Sequence, residues 1–205
     1  MSSSPYHYFD NQRLTLQSGN CLPAAQSLLQ LAGNTPLLAQ LAAEPGAQQL
    51  LDATEQAYQA GYEQQASTEF ELQGLGFAGI GDPLLHMDLL AEFLPAFKAK
   101  RHGVPVTIVS YGLVAPNEAP ALCQQLIELE IEKLEIYLPA TNPPAYQQAV
   151  KPSQLGFSEV CQFIHTASEA GLQVSCFAYA PLAQQSELRA LALDLGARQF
   201  VVKQP

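Results

Sequence analysis

From about residue 67 onward, apolar and polar positions switch repeatedly between a two-residue and a helical period. Residues 70–80 form an apolar stretch that runs into Gly79, Ile80, Gly81, Asp82 and Pro83, so it reads as a strand followed by a turn. Residues 88–102 carry helical spacing, with Asp88 as the expected N-cap and Gly103 as the stop. The β-branched run at 104–109 reads as a buried strand, 116–130 as a helix and 133–138 as the next strand. Asn142 opens another helical stretch, and 157–170 is a helix ended by Gly171. A strand at 172–179, a helix at 184–195 closed by Gly196 and a strand at 199–202 complete the series.

The first third is patterned differently. Residues 1–12 are polar and aromatic without a period and are expected as an arm, and residues 13–16 as a short strand. Residues 22–62 are rich in Ala, Leu and Gln, with breaks at Gly33-Asn34 and Pro45-Gly46, and read as two or three helices. Leu37, Leu38, Leu41 and Ala42 form one helical stripe; Leu50, Leu51, Thr54, Ala57 and Tyr58 form another. Five strands and an early short one, apolar on both faces and separated by helices, imply a parallel sheet under right-handed crossovers. The expected fold is α/β, a partial (β/α)6 TIM-like barrel of parallel strands with extra N-terminal helices, in a single domain over residues 1–205.

Composition narrows the function classes. Apolar residues are 48% of the chain and charged residues 14%, which is the balance of a folded protein. No apolar run reaches the roughly 18 to 20 residues that cross a bilayer, and the start has neither a basic nor an apolar leader region. A cytoplasmic location without membrane attachment is therefore expected. With 9 basic against 19 acidic residues the formal charge is −10, which repels phosphate backbones and sets nucleic acid aside as a partner. Cys21, Cys123, Cys161 and Cys176 contain no closely spaced pair, so no local zinc or cluster loop is encoded, and they read as reduced, mostly buried thiols.

Ligands of parallel α/β folds sit at the C-terminal ends of the strands. Those ends carry Gly79, Gly81 and Asp82, then Ser110, Tyr111 and Gly112, then Tyr137 and Pro139, then Tyr179, and finally Lys203; all of these except Pro139 and Lys203 are the candidate ligand-binding residues. Tyr111, Tyr137 and Tyr179 would either stack on a planar ligand or plug a disused mouth. Asp82, His86 and Asp88 are chemically able to hold a metal, but a turn and a helix cap account for them without one. Glu128, Glu130, Glu132 and Glu135 form an acidic run read as a solvated face, with docking of a basic partner as the alternative. No Gly-x-Ser-x-Gly elbow and no Gly-Lys-Ser/Thr phosphate loop is present.

Taken in order, several of these segments resemble the radical S-adenosylmethionine (SAM) superfamily, closest to small TatD-linked radical SAM proteins. Phe77-Ala78-Gly79-Ile80-Gly81-Asp82-Pro83 resembles that family's GGEP strand end, and Val106-Thr107-Ile108-Val109-Ser110-Tyr111-Gly112-Leu113 its TNGL strand. Leu134-Glu135-Ile136-Tyr137-Leu138-Pro139-Ala140, with Tyr146 and Lys151-Pro152 downstream, is similar to its next strand. Phe157, Val160, Phe163 and the ending from Leu195 to Phe200 extend the likeness to about two thirds of the chain. The family holds a [4Fe–4S] cluster on three cysteines after its first strand. Here only Cys21 lies in that region, and Ala25 and Leu28 stand where the other thiols belong.

That resemblance implies a radical-SAM-like protein without its cluster, non-catalytic and acting by binding a protein partner, a second copy or a small ligand. No cofactor is expected; SAM is the candidate ligand, with Asp82 facing its amine and Gly79 and Gly81 allowing close backbone approach. The alternatives are a cluster-independent enzyme using the barrel mouth with SAM for polar group transfer, and a cluster completed by cysteines of another chain.

Overall fold

The computed structural model describes residues 7–10, 13–16, 46–64, 74–78, 82–152, 154–179 and 182–203. The chain divides into two compact units, Met1–Thr107 and Ile108–Pro205, the division falling inside one strand, Val106–Ser110. Each unit combines strands and helices, as the sequence pattern requires of an α/β protein.

In the first unit, β1 (His7–Asp10) runs antiparallel to β2 (Arg13–Leu16), which is parallel to β3 (Gly74–Phe77). The expected short strand at 13–16 is present, and within the stretch expected as an arm residues 7–10 form its partner. The strand expected at 70–80 is described only at Gly74–Phe77. Of the early helices, α1 (Ala47–Gln64) is described; the stripe at residues 37–42 lies outside the described residues. Leu50, Ala53, Thr54 and Ala57 form its buried face, and Thr54 offsets its own burial by donating to the Leu50 carbonyl at 2.7 Å.

A 3-10 turn (Pro83–Leu85) leads into α2 (Met87–Lys100). Asp88 does not cap that helix: His86 occupies the cap position without a side-chain bond, and Asp88 sits exposed in the first turn, where an acid favours the helix dipole. Leu90, Phe93, Leu94 and Phe97 are buried, with Phe93 edge-on to Phe77 at 5.4 Å and stacked with Phe97 at 5.6 Å.

The second unit follows the end of β4 (Val106–Ser110) with α3 (Ala119–Glu128), β5 (Lys133–Tyr137), α4 (Pro143–Val150), α5 (Phe157–Glu169), β6 (Gln173–Ala178), α6 (Leu182–Asp194) and β7 (Gln199–Val202). β5, β6 and β7 are parallel neighbours in that order. These helices and strands match the expected ones to within a few residues at their ends. Local chemistry sets those ends: Asn142 accepts from Ala145 N–H at 3.0 Å to start α4, and Glu159 accepts from Gly156 N–H at 2.8 Å to start α5. Gly196 ends the last helix at φ +94°, and a Cβ there would come within 3.0 Å of Ser168 Cβ. Alternate strand residues Leu134, Ile136, Val174, Cys176 and Phe200 join Val160, Phe163, Ile164 and Leu188 in the core between sheet and helices.

Candidate functional site

Strand alternation decides which side chains meet in the second unit. Ile136 points towards α5: a Cβ on Gly112 would lie 3.0 Å from Ile136 Cγ2, 3.0 Å from Val160 Cγ2 and 3.2 Å from Phe163 Cδ1. The other phase of the same strands, Glu135 and Tyr137 on β5 and Ser175 and Phe177 on β6, therefore lies on the face away from the helices. Parallel register places Tyr137 beside Phe177, and Phe177 beside Val201. The two strands continue one step further, where Leu138 N–H donates to Phe177 O at 2.8 Å and Lys203 N–H to Ala178 O at 3.0 Å.

That face gathers four rings. Tyr137 is at the centre, 5.7 Å edge-on from Tyr111, 5.4 Å from Phe177 and 6.0 Å from Tyr179. Phe177 and Tyr179 meet edge-on at 6.1 Å. The edge-to-face and tilted geometries are those favoured by ring quadrupoles, so the cluster is packed within itself. It is nevertheless open on one side, because Tyr179 is 52% exposed while Phe177 is 7% exposed. Burial, and then the neighbouring Tyr179, hold the Tyr137 phenol above its ordinary pKa, so it is protonated at neutral pH.

A charged pair borders the rings. Lys203 Nζ lies 2.7 Å from Glu135 Oε2 and 4.1 Å from the centre of the Phe177 ring. Their side chains are 30% and 21% exposed, so the pair is partly desolvated.

Gly112 supports this arrangement from behind. Its φ of +67° and the three crowded contacts leave no room for a side chain, so the chain can turn out of β4 against Ile136 and α5 only with glycine there. Ser110 is buried and its hydroxyl accepts from Gly112 N–H at 2.8 Å, closing the same turn. Of the eight residues expected to bind ligand, Tyr111, Tyr137 and Tyr179 thus come together, and Ser110 and Gly112 shape the turn that carries Tyr111. Gly79 and Gly81 lie outside the described residues. Asp82 belongs to the first unit, where it is buried and its carboxylate accepts from Leu84 N–H at 3.1 Å as the cap of the 3-10 turn. The expectation that missed most was Glu135, read as part of a solvated acidic run. Period-two alternation with Tyr137 would have placed it on the ring face, as alternation with Tyr179 would have placed Phe177.

The cysteines do not supply a reactive centre among the described residues. Burial pushes Cys161 up to about 11 and Cys176 up to about 12, and raises Cys123, so all three stay as thiols. No three His, Cys, Asp or Glu side chains among the described residues converge on a metal position. Cys21 lies outside them. No described helix is long and apolar enough to cross a membrane.

No family model and no curated protein matches the chain. Solved structures to which the chain shows some similarity include a protein described as a phosphonomutase from Burkholderia cenocepacia J2315, with 13% identity over 77% of this chain and a TM-score of 0.47. A phosphoenolpyruvate phosphomutase from Streptomyces platensis subsp. rosaceus has 14% identity over 91% and a TM-score of 0.41. An enolase from Gibberella zeae PH-1 has 9% identity over 78% and a TM-score of 0.41. The chain spans 65%, 58% and 36% of their lengths, less than two thirds of each.

The expected radical SAM resemblance is therefore corrected: no family model supports it, and these neighbours carry phosphonomutase and enolase names instead. The physical reason is that its motifs were strand ends, glycines and an acid before a helix, which any parallel α/β chain needs for its turns. With the resemblance goes the inference of a lost iron–sulfur cluster.

Proposed function

We propose that the protein acts by binding a small organic ligand on the ring-lined face of its second unit. The observation that carries this reading is the gathering of Tyr111, Tyr137, Phe177 and Tyr179 on one sheet face, with Tyr179 more than half exposed at its rim. Aromatic side chains lose little entropy on binding and offer both a stacking surface and phenolic hydrogen bonds. The partly buried Glu135–Lys203 pair beside them places charged groups at the edge of the rings, and its carboxylate is the polar group that orients a ligand there.

Three of the chain's 8 tyrosines lie in this cluster and there is no tryptophan, so tyrosine emission carries the cluster's signal without an indole background, and its loss in Tyr179→Ala assigns the signal to the site. Titration with adenosine and with SAM, followed by that emission and by calorimetry, is the test. Saturable binding that weakens about tenfold or more in Tyr179→Ala is expected for a stacking ligand. Absence of heat and of any emission change with both compounds at millimolar concentration would sink the reading.

A further inference from the structure

The Lys203–Glu135 pair has a geometry that identifies a ligand class. Lys203 leaves the end of β7 beside Ala178, yet its ammonium does not extend into water. It turns back across β6, passes over the face of Phe177 at 4.1 Å and ends on Glu135 two residues further back along β5, at 2.7 Å. A carboxylate beside aromatic rings, with Tyr179 exposed at their rim, is the set of groups that recognises an organic cation: the carboxylate neutralises the charge and the ring quadrupoles attract it. The chain's own ammonium now occupies that position.

We infer that Lys203 Nζ stands in for the cationic group of the ligand, and that this site takes a small organic cation, an ammonium or sulfonium, which displaces Lys203 and settles against Glu135, Phe177, Tyr137 and Tyr179. The inference rests on the binding role proposed above and names its ligand class. Lysine suits an occupant that yields. Its ammonium is a strongly hydrated point charge on a flexible stem and regains water when it swings out. An alkylated cation is weakly hydrated and gains more from the rings than lysine does. The formal charge of −10 adds a general attraction for cations. Because Lys203 competes for Glu135, it sets a threshold that only a cation matched to the rings overcomes.

The test is calorimetry of the full chain with choline and with its uncharged isostere 3,3-dimethylbutan-1-ol, for wild type, Lys203→Met, Lys203→Gln and Glu135→Gln. Both lysine variants should bind choline about tenfold tighter than wild type while the alcohol changes less than about twofold. Glu135→Gln should weaken choline by about tenfold or more. Equal gains for choline and the alcohol would overturn the inference, as would unchanged choline binding in either the lysine variants or Glu135→Gln. Two lysine variants are used so that one poorly folded protein does not decide the result. Adenosine binding lost in Tyr179→Ala, with no choline binding to any variant, would remove the cation class and leave the binding role standing. Silence towards adenosine, SAM and choline alike would remove both.

Discussion

Among the described residues, both units set a cation between a carboxylate and an aromatic ring, Arg101 in the first and Lys203 in the second, and the two are built to different ends. In the first, Arg101 meets Glu55 with both forks, Nη1 to Oε1 and Nη2 to Oε2 at 2.9 Å each, while Lys100 reaches the same carboxylate at 3.3 Å. The guanidinium lies 4.6 Å from the Tyr58 ring centre and 5.9 Å from that of Phe97, and the arginine side chain is only 14% exposed. This joins α1 to the end of α2 through a planar, permanently charged group whose two bonds fix its orientation. In the second unit, Lys203 meets Glu135 through one short contact and one ring. The ingredients are the same, but a bidentate fork packed between rings holds helices together, whereas a single ammonium on a flexible stem can be exchanged for another cation.

The largest effect is expected where the lysine's surroundings are fixed rather than at the lysine. Gly112→Ala would force a side chain into a left-handed turn already at contact distance from Ile136, Val160 and Phe163. It should cost about 2–4 kcal/mol, read from the urea midpoint, and should blunt ligand binding at the rings it supports. Next, Arg101→Ala should cost about 2 kcal/mol through the lost fork, ring contact and buried stem, and Arg101→Lys should recover less than about half of it. A full rescue by lysine would erase the distinction drawn between the two pairs.

The acid limb sharpens it further. The hydrogen bond from Arg101, working against burial, holds the Glu55 carboxyl at about 2, against 4.5 for the ordinary group. A folded-state pKa below the unfolded one means this stabilisation is complete above about 4.5 and is lost as pH falls towards about 2. Because the Glu55 side chain is 44% exposed, solvent screening reduces its worth to about 1 kcal/mol. Urea midpoints of wild type and Glu55→Gln should therefore differ near pH 5, draw together as pH falls below about 4.5 and converge only towards about 2; a gap constant with pH would show that another interaction is responsible. The smallest effect is expected for Lys203→Met, within about 0.5 kcal/mol of wild type in the same assay, since a partly exposed single pair adds little to stability. A loss as large as that of Arg101→Ala would mean that Lys203 is structural, and its exchange for a ligand would then be untenable.

Much of the fold was legible from the chain. The helices of the second unit appear where Asn142, Gly171 and Gly196 mark their ends, and the last strand spans 199–202 as its pattern indicates. These signals are local: a cap, a stop and a periodicity act within a few residues. Asp88 is ambiguous in the sequence because a carboxylate at a helix start suits both the cap and the first turn, and the backbone decides by putting His86 at the cap. Three tyrosines of the candidate site were found from their places at strand ends, but Phe177 and Glu135 were not, since each also had an ordinary local explanation.

By itself, then, the sequence determined the α/β class, the order of the later strands and helices, and the acidic charge that disfavours polyanions. It also placed three rings at strand ends, because alternation and termination are encoded within short windows. Only the tertiary structure brought Lys203 to Glu135 across the intervening strand and over Phe177, as it brought Arg101 to Glu55 from another helix. Those meetings depend on parallel register and helix packing between residues 68 and 46 positions apart in the chain, a separation across which no local pattern carries information.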